Sequence, residues 1–167
     1  MSNHINEILF ALADEGVEFI LGGGVAAVLH GVERVTLDID LALKMEETNL
    51  KKFLGVMERL ALSPRVPVPA RDLMSPEAVR RMVEEKQALV FSFVDADKPL
   101  RHVDIFLTKD LSFEEMNADA KPVRIGDRAI RIVSVARLLK IKRAIQPPRD
   151  KDTFDIKALE RLLGEET

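Results

Sequence analysis

The sequence has no cysteine, no tryptophan and no tyrosine, and only three histidines in 167 residues. Without cysteine there is neither a disulfide scaffold nor a thiolate metal site, which suits a reducing cytoplasm. His4, His30 and His102 are too scattered to offer the close His/His spacing of a zinc site. No apolar run approaches the length of a membrane span, so no membrane partner is expected. The opening residues, MSNHINEILFALADEG, lack the basic start and uninterrupted apolar stretch of a signal peptide. Nor is there an excess of positive charge. A net charge of −3 argues against nonspecific nucleic-acid binding by the whole surface. One segment departs from that balance: Arg137 to Lys151 carries Arg137, Lys140, Lys142, Arg143, Arg149 and Lys151 against the lone acid Asp150.

What is present is ordinary for a globular chain, with 47% hydrophobic and 32% charged residues and no low-complexity tract. The length predicts a single domain over 1–167, with a core at 17–133 and a C-terminal helical pair at 134–163. Ile5, Ile8, Leu9 and Leu12 recur at helical spacing and predict a helix over 3–15, ended by Gly16 before a strand at 17–21. Leu50, Phe53, Leu54, Met57 and Leu60 predict a second helix. Residues 63–76, with four prolines, read as an irregular loop, and Ser75-Pro76 as the start of a charged helix. ALVFSFVD and LRHVDIFL form a hairpin pattern, as does VRIGDRAIRI, whose Gly126-Asp127 pair suits a type II′ turn. Two helices follow, over 134–145 and 151–163, separated by Pro147-Pro148. The class is α/β (α+β), a short mixed sheet backed by helices.

The chemistry concentrates in LGGGVAAVLHGVERVTLDIDLAL, Leu21 to Leu43. Glycines entering a helix expose backbone N–H groups and permit close approach, which suits phosphate; a tight turn is the plainer reading. In TLDIDLALK, Leu37, Ile39, Leu41 and Leu43 face one way, and Asp38 and Asp40 the other. The two carboxylates project together, about 7 Å apart along the strand. They repel unless a hard cation such as Mg²⁺ joins them, or unless the face is wet. Asp104, between Val103 and Ile105 in an apolar strand, is the candidate for a third ligand.

These residues resemble a family. Gly-Gly at a helix start followed by Asp-x-Asp is similar to the signature of the DNA polymerase β-like nucleotidyltransferase superfamily. The fuller pattern, on Gly23, Gly24, Ala26, Gly31, Arg34, Thr36, Asp38 and Asp40, resembles the small bacterial AbiEii-like, toxin-type group. VDIF matches the family's third carboxylate at Asp104. The tail resembles its closing Lys and Lys-Asp-x-x-Asp pattern, at Lys142, Lys151, Asp152 and Asp155. The resemblance implies the nucleotidyltransferase fold and transfer of a nucleoside monophosphate from an NTP such as ATP, with release of pyrophosphate. Asp38, Asp40 and Asp104 would then be the catalytic carboxylates and the ligands of two Mg²⁺ ions, with Mn²⁺ as a substitute. Gly23, Gly24, Arg34, Thr36, Lys142, Lys151 and Asp155 would bind the nucleotide. The acceptor is open among RNA, protein and a small molecule. A cognate antitoxin or a second copy of the chain would be the partner, and the alternative is a non-catalytic nucleotide- or partner-binding domain.

Periodicity adds to the tail reading. Lys142 falls inside the stripe of Val135, Leu138, Leu139 and Ile145, and Asp155 inside that of Phe154, Ala158, Leu159 and Leu162. Charges in apolar stripes predict an ion pair between the two helices, a phosphate contact by Lys142, or both. Gly22 reads as slack at the strand end, Asp95 as a turn residue, and His102 as either a satisfied sheet histidine or a cleft-lining one.

Overall fold

The computed structural model describes residues 3–166. The first half contains α1 (Asn3–Asp14), β1 (Phe19–Gly22), α2 (Gly23–Leu29), β2 (Asp38–Leu43), α3 (Glu47–Arg59), β3 (Ser63–Pro64) and α4 (Pro76–Lys86). The second contains β4 (Val90–Val94), β5 (His102–Phe106), α5 (Phe113–Asn117), β6 (Lys121–Ile125), β7 (Arg128–Ile132), α6 (Val135–Ala144) and α7 (Asp150–Glu166). The strands form one mixed seven-stranded sheet in the order β3-β4-β5-β2-β1-β7-β6. β2 pairs parallel with β5 and β1 parallel with β7; the other neighbours are antiparallel. Both hairpins anticipated from the sequence are present, and Gly126 has the positive φ, 63°, that its turn requires.

Alternation splits the core into two layers. Ile39, Leu41, Leu43, Val103, Ile105, Phe91 and Phe93 face α1 and α3, burying Ile5, Ile8, Leu9, Leu12, Leu50, Phe53 and Met57 with them. Phe53 meets Phe93 edge to face, with centroids 5.4 Å apart. On the other face Ile20 and Ala42 pack with Ala26 and Ala27 of α2, Leu138 and Leu139 of α6, and Leu159 of α7.

Several expectations need correction. The proline-rich stretch is not wholly irregular: Ser63–Pro64 pairs with β4 as an edge strand, and Ala70–Met74 makes a 3₁₀ helix. Pro is tolerated in that strand because it lies at the sheet edge. Leu37 lies just before β2 and is 38% exposed instead of joining the buried row. On α7, Phe154 is 51% exposed, and the buried stripe runs through Asp152, Asp155 and Leu159. Carboxylates occupy that stripe because the adjoining helix presents Lys142 at that level.

Asn49 ties the sheet to the first turn of α3. Its side-chain oxygen accepts from Glu18 N at 2.7 Å, and its amide donates to Glu18 O at 2.9 Å and Lys44 O at 2.8 Å. These backbone groups flank β1 and β2, so the residue clamps the closed end of the central strand pair. Asn49→Ala leaves Glu18 N and Lys44 O without that partner, while Glu18 O keeps its bond from Lys44 N, and is expected to destabilise the fold by about 2–3 kcal/mol in urea denaturation. A loss below about 0.5 kcal/mol would show that water replaces the clamp.

Candidate active site

The register of four strands builds the site. Parallel pairing sets Asp40 opposite Asp104 and Asp38 opposite His102, and antiparallel pairing sets Gly22 opposite Asp40 and Ser92 opposite Asp104. All the carboxylates anticipated as a triad therefore share one sheet face. Asp104 Oδ1 accepts from Ser92 Oγ at 2.5 Å and lies 2.8 Å from His102 Nε2. His102 Nδ1 is 3.6 Å from Asp38 Oδ1. His102 is thus a satisfied sheet histidine beside two of the carboxylates, and it does not itself line the cleft.

The glycines are fixed by what stands beside them. Gly23 has φ 60°, and a Cβ there would overlap the Asp40 carboxylate. A Cβ on Gly24 would come within 2.6 Å of Thr36 Oγ1 and 3.2 Å of Arg34 Nη2. Arg34 and Thr36 thus lie directly over the start of α2, where backbone N–H groups lack intrahelical partners. Gly22 is not slack: it is paired within β1, and a Cβ on it would meet Phe106 at 3.1 Å and Met116 at 3.2 Å.

Facing the carboxylates is a wall of cations. Lys142, buried on α6, lies 3.0 Å from Asp155 Oδ2 and 3.3 Å from Asp152 Oδ1. Arg149 adds two side-chain bonds to Asp152, at 2.7 and 3.1 Å. Arg34 Nη1 reaches Asp155 Oδ2 at 2.6 Å, joining the loop before β2 to α7. The expected ion pair between the last two helices exists, with Asp152 as a second counterion and Arg34 as a third member. Asp155 Oδ1 is buried and finds no donor among the described residues.

A cleft of about 710 Å³ joins these parts: Gly23, Gly24, Arg34, Thr36, Asp38, Asp40, Asp104, Lys142 and Lys151 all line it. Asp155 alone of the anticipated residues lies behind the wall, fully buried, and acts on the cleft through Arg34 and Lys142. Two contributors were missed from sequence. Arg149 was read only as part of the basic segment, yet it lines the cleft. Ser92 was overlooked, although a lone polar residue facing inward in VFSFV is a signal. The remaining basic segment is largely neutralised: Arg137 bonds Asp119 at 2.8 Å and Arg143 bonds Glu160 at 2.7 Å.

The two walls have opposite electrostatics. Burial, together with the charges of Asp104 and Asp38, pushes Asp40 up to about 7. Asp152 behaves oppositely: burial would raise it, but hydrogen bonds from Arg149 and the charge of Lys142 hold it at about 2. The carboxylate face therefore lacks positive charge where it most needs it. Oxygen donors on paired strands suit a hard divalent cation, and Asp38, Asp40 and Asp104 have the chemistry to hold one. Among the described residues no three such side chains are already drawn together as ligands. In Asp104, the Ser92 and His102 bonds occupy one oxygen and leave the other available.

With Asp40 near 7 against an ordinary 3.8, the folded chain binds more protons than the unfolded one between those values. The stability this contributes is present below pH 3.8 and is lost as pH rises through about 7. In EDTA the melting temperature should fall between about pH 4 and 7 and level off above that, and Asp40→Asn should flatten that fall. An unchanged pH profile in the variant would contradict the assignment. Lys142→Ala leaves two buried carboxylates short of a partner and is expected to destabilise by about 3–5 kcal/mol, read by urea denaturation.

No protein-family model matches the chain, and a comparison with curated proteins gives no match. Solved structures do match. The lincosamide antibiotic adenylyltransferase LnuA, with lincomycin bound, superposes with a TM-score of 0.64 at 19% identity, covering 97% of this chain and 98% of that one. The solution structure of the antibiotic-resistance factor ANT(2'')-Ia gives 0.61 at 17% identity, covering 98% and 83%. The crystal structure of ANT(2'')-Ia with adenylyl-2''-tobramycin gives 0.59 at 17% identity, covering 97% and 88%. None of these three is described as AbiEii-like, and the narrower part of the motif resemblance gains nothing from them. What the likeness establishes is that the chain has the nucleotidyltransferase fold.

Proposed function

We propose that the protein is a metal-dependent nucleotidyltransferase that moves a nucleoside monophosphate, AMP in the first instance, from an NTP to a hydroxyl of a small molecule. One observation carries the reading: Asp40 and Asp104 lie opposite each other, beside Asp38, in the cleft that also holds Gly23-Gly24 and the cations Arg34, Lys142, Arg149 and Lys151. Acidic and basic walls across one cleft match the needs of a triphosphate that must be both bound and opened. Asp38, Asp40 and Asp104 would hold divalent cations, Mg²⁺ or Mn²⁺, which when bound supply charge neutralisation at the α-phosphate.

The chain's own residues do the rest. Gly23 and Gly24 give the β- and γ-phosphates close backbone approach, with Arg34, Arg149, Lys142 and Lys151 as counter-charge and Thr36 as a hydroxyl donor beside them. Asp155 keeps Arg34 and Lys142 in place. Asp104 takes the proton of the acceptor hydroxyl. The acceptor oxygen bonds the α-phosphorus as the bond from that phosphorus to the bridging oxygen breaks, and the electron pair leaves with pyrophosphate.

Two points favour a small acceptor over RNA, a protein or an antitoxin. The structural neighbours are named as enzymes of lincosamide and aminoglycoside antibiotics. Beyond the cleft, Arg137 and Arg143 of the basic segment are already paired with acids of the same chain, which takes two of its cations from any polyanion-binding surface.

Incubation with labelled NTPs, Mg²⁺ and a panel of hydroxylated small molecules, RNA and cell-extract proteins should label a small molecule, identified by mass spectrometry. Asp38→Ala and Asp40→Ala should each abolish that label, by more than about 100-fold in kcat, with the fold retained by circular dichroism. Full transfer by either variant would remove the carboxylates from the mechanism.

A further inference from the structure

Asp104 is held more tightly than its neighbours in the cleft, and by an asymmetric pair of bonds. Ser92 of β4 sits opposite it in the antiparallel register, and His102 of β5 lies two residues before it on the same face. An ionised carboxylate only accepts hydrogen bonds, so Ser92 Oγ donates to it and His102 Nε2, at 2.8 Å, carries the hydrogen that points to it. Both bonds fall on Oδ1. Rotation of the carboxyl group to exchange its oxygens would break both. The imidazole also stands between the carboxylates, with Nδ1 3.6 Å from Asp38 Oδ1, so it keeps Asp104 from swinging toward Asp38. His102 and Asp104 side chains are only 16% and 18% exposed, which limits replacement of either bond by water.

We propose that Ser92 and His102 are positioning residues that pin Asp104 by Oδ1, so that Oδ2 is the atom presented to the divalent cation and to the acceptor hydroxyl. The proposal rests on the nucleotidyl-transfer reading for its chemistry, though not for its geometry. Oδ2 receives the acceptor proton as the acceptor oxygen bonds the α-phosphorus and pyrophosphate leaves with the electron pair of the broken bond. Neither Ser92 nor His102 exchanges a proton with substrate; each acts through the orientation of Asp104. Outer partners of this kind fix the direction of a ligand and raise its effective affinity for the metal.

The test uses the full chain and four variants, with Mn²⁺ as the probe. Ser92→Ala and His102→Leu remove a donor, whereas Ser92→Thr and His102→Gln keep one in nearly the same place. Mn²⁺ affinity is read by EPR titration without substrate, and kcat and KM for ATP by label transfer. Ser92→Ala and His102→Leu are expected to weaken Mn²⁺ about 10–100-fold and to lower kcat comparably, with KM for ATP within about twofold. Ser92→Thr and His102→Gln should recover most of both. Unchanged or tighter Mn²⁺ binding in Ser92→Ala and His102→Leu overturns the proposal, as does a wild-type chain that binds no Mn²⁺. Equal impairment in the donor-retaining pair also overturns it, because the role would then be packing. If Mn²⁺ binding responds as expected but wild type transfers no nucleotide, the positioning stands and the nucleotidyl-transfer reading fails. If wild type transfers and the variants change nothing, the reverse holds.

Discussion

Parallel pairing of β2 with β5 places Asp40 against Asp104, and most of the molecule is arranged around the repulsion that results. Strand neighbours lie only about 5 Å apart, so two carboxylates set opposite each other are in each other's field whatever their rotamers. A chain could avoid this by a one-residue slip, but the slip would turn either Ile39 and Leu41 or Val103 and Ile105 out of the core. The apolar face therefore enforces the acidic one. Stability and function are coupled through a single register.

The opposite wall is a second case of charge fixed by packing. Lys142 is carried into the interior by the apolar stripe of α6, and Asp152 and Asp155 by that of α7. Buried ion pairs contribute little net stability against an apolar replacement. Their value here is placement: they hold cations at the mouth of a cleft without collapsing onto the carboxylates of the sheet. Among the described residues of this cluster, Asp155 Oδ1 is the one buried side-chain oxygen without a donor.

Much of this was legible in the sequence, for identifiable reasons. Period-two alternation in TLDIDLALK put Asp38 and Asp40 on one face, and the apolar neighbours of Asp104 in LRHVDIFL singled it out as the third carboxylate. Helical spacing placed Lys142 and Asp155 at one interface. What alternation cannot give is register between strands far apart in the chain, which is why Ser92 and the pairing of His102 with Asp38 emerged only from the structure. Side-chain reach was equally hidden: Arg34 crosses from a loop to α7 and could not be paired with Asp155 by spacing. Phe154 misled because apolarity alone was used to draw the stripe, and the true stripe is defined by where Lys142 and Arg149 need counter-charge.

The salt bridge from Arg34 to Asp155 spans most of the chain, and that separation has a consequence for synthesis. Domains begin to fold as they leave the ribosome, N-terminal parts first. The acidic face is complete once β5 has emerged, whereas Lys142, Arg149 and Asp155 arrive last. A nascent chain thus carries a carboxylate cluster faced by Arg34 but by neither Lys142 nor Arg149 until α6 and the segment after it are out. During that interval the half-built protein can attract cations but has no complete seat for a triphosphate, so competence for nucleotide is deferred until α6 and α7 have emerged.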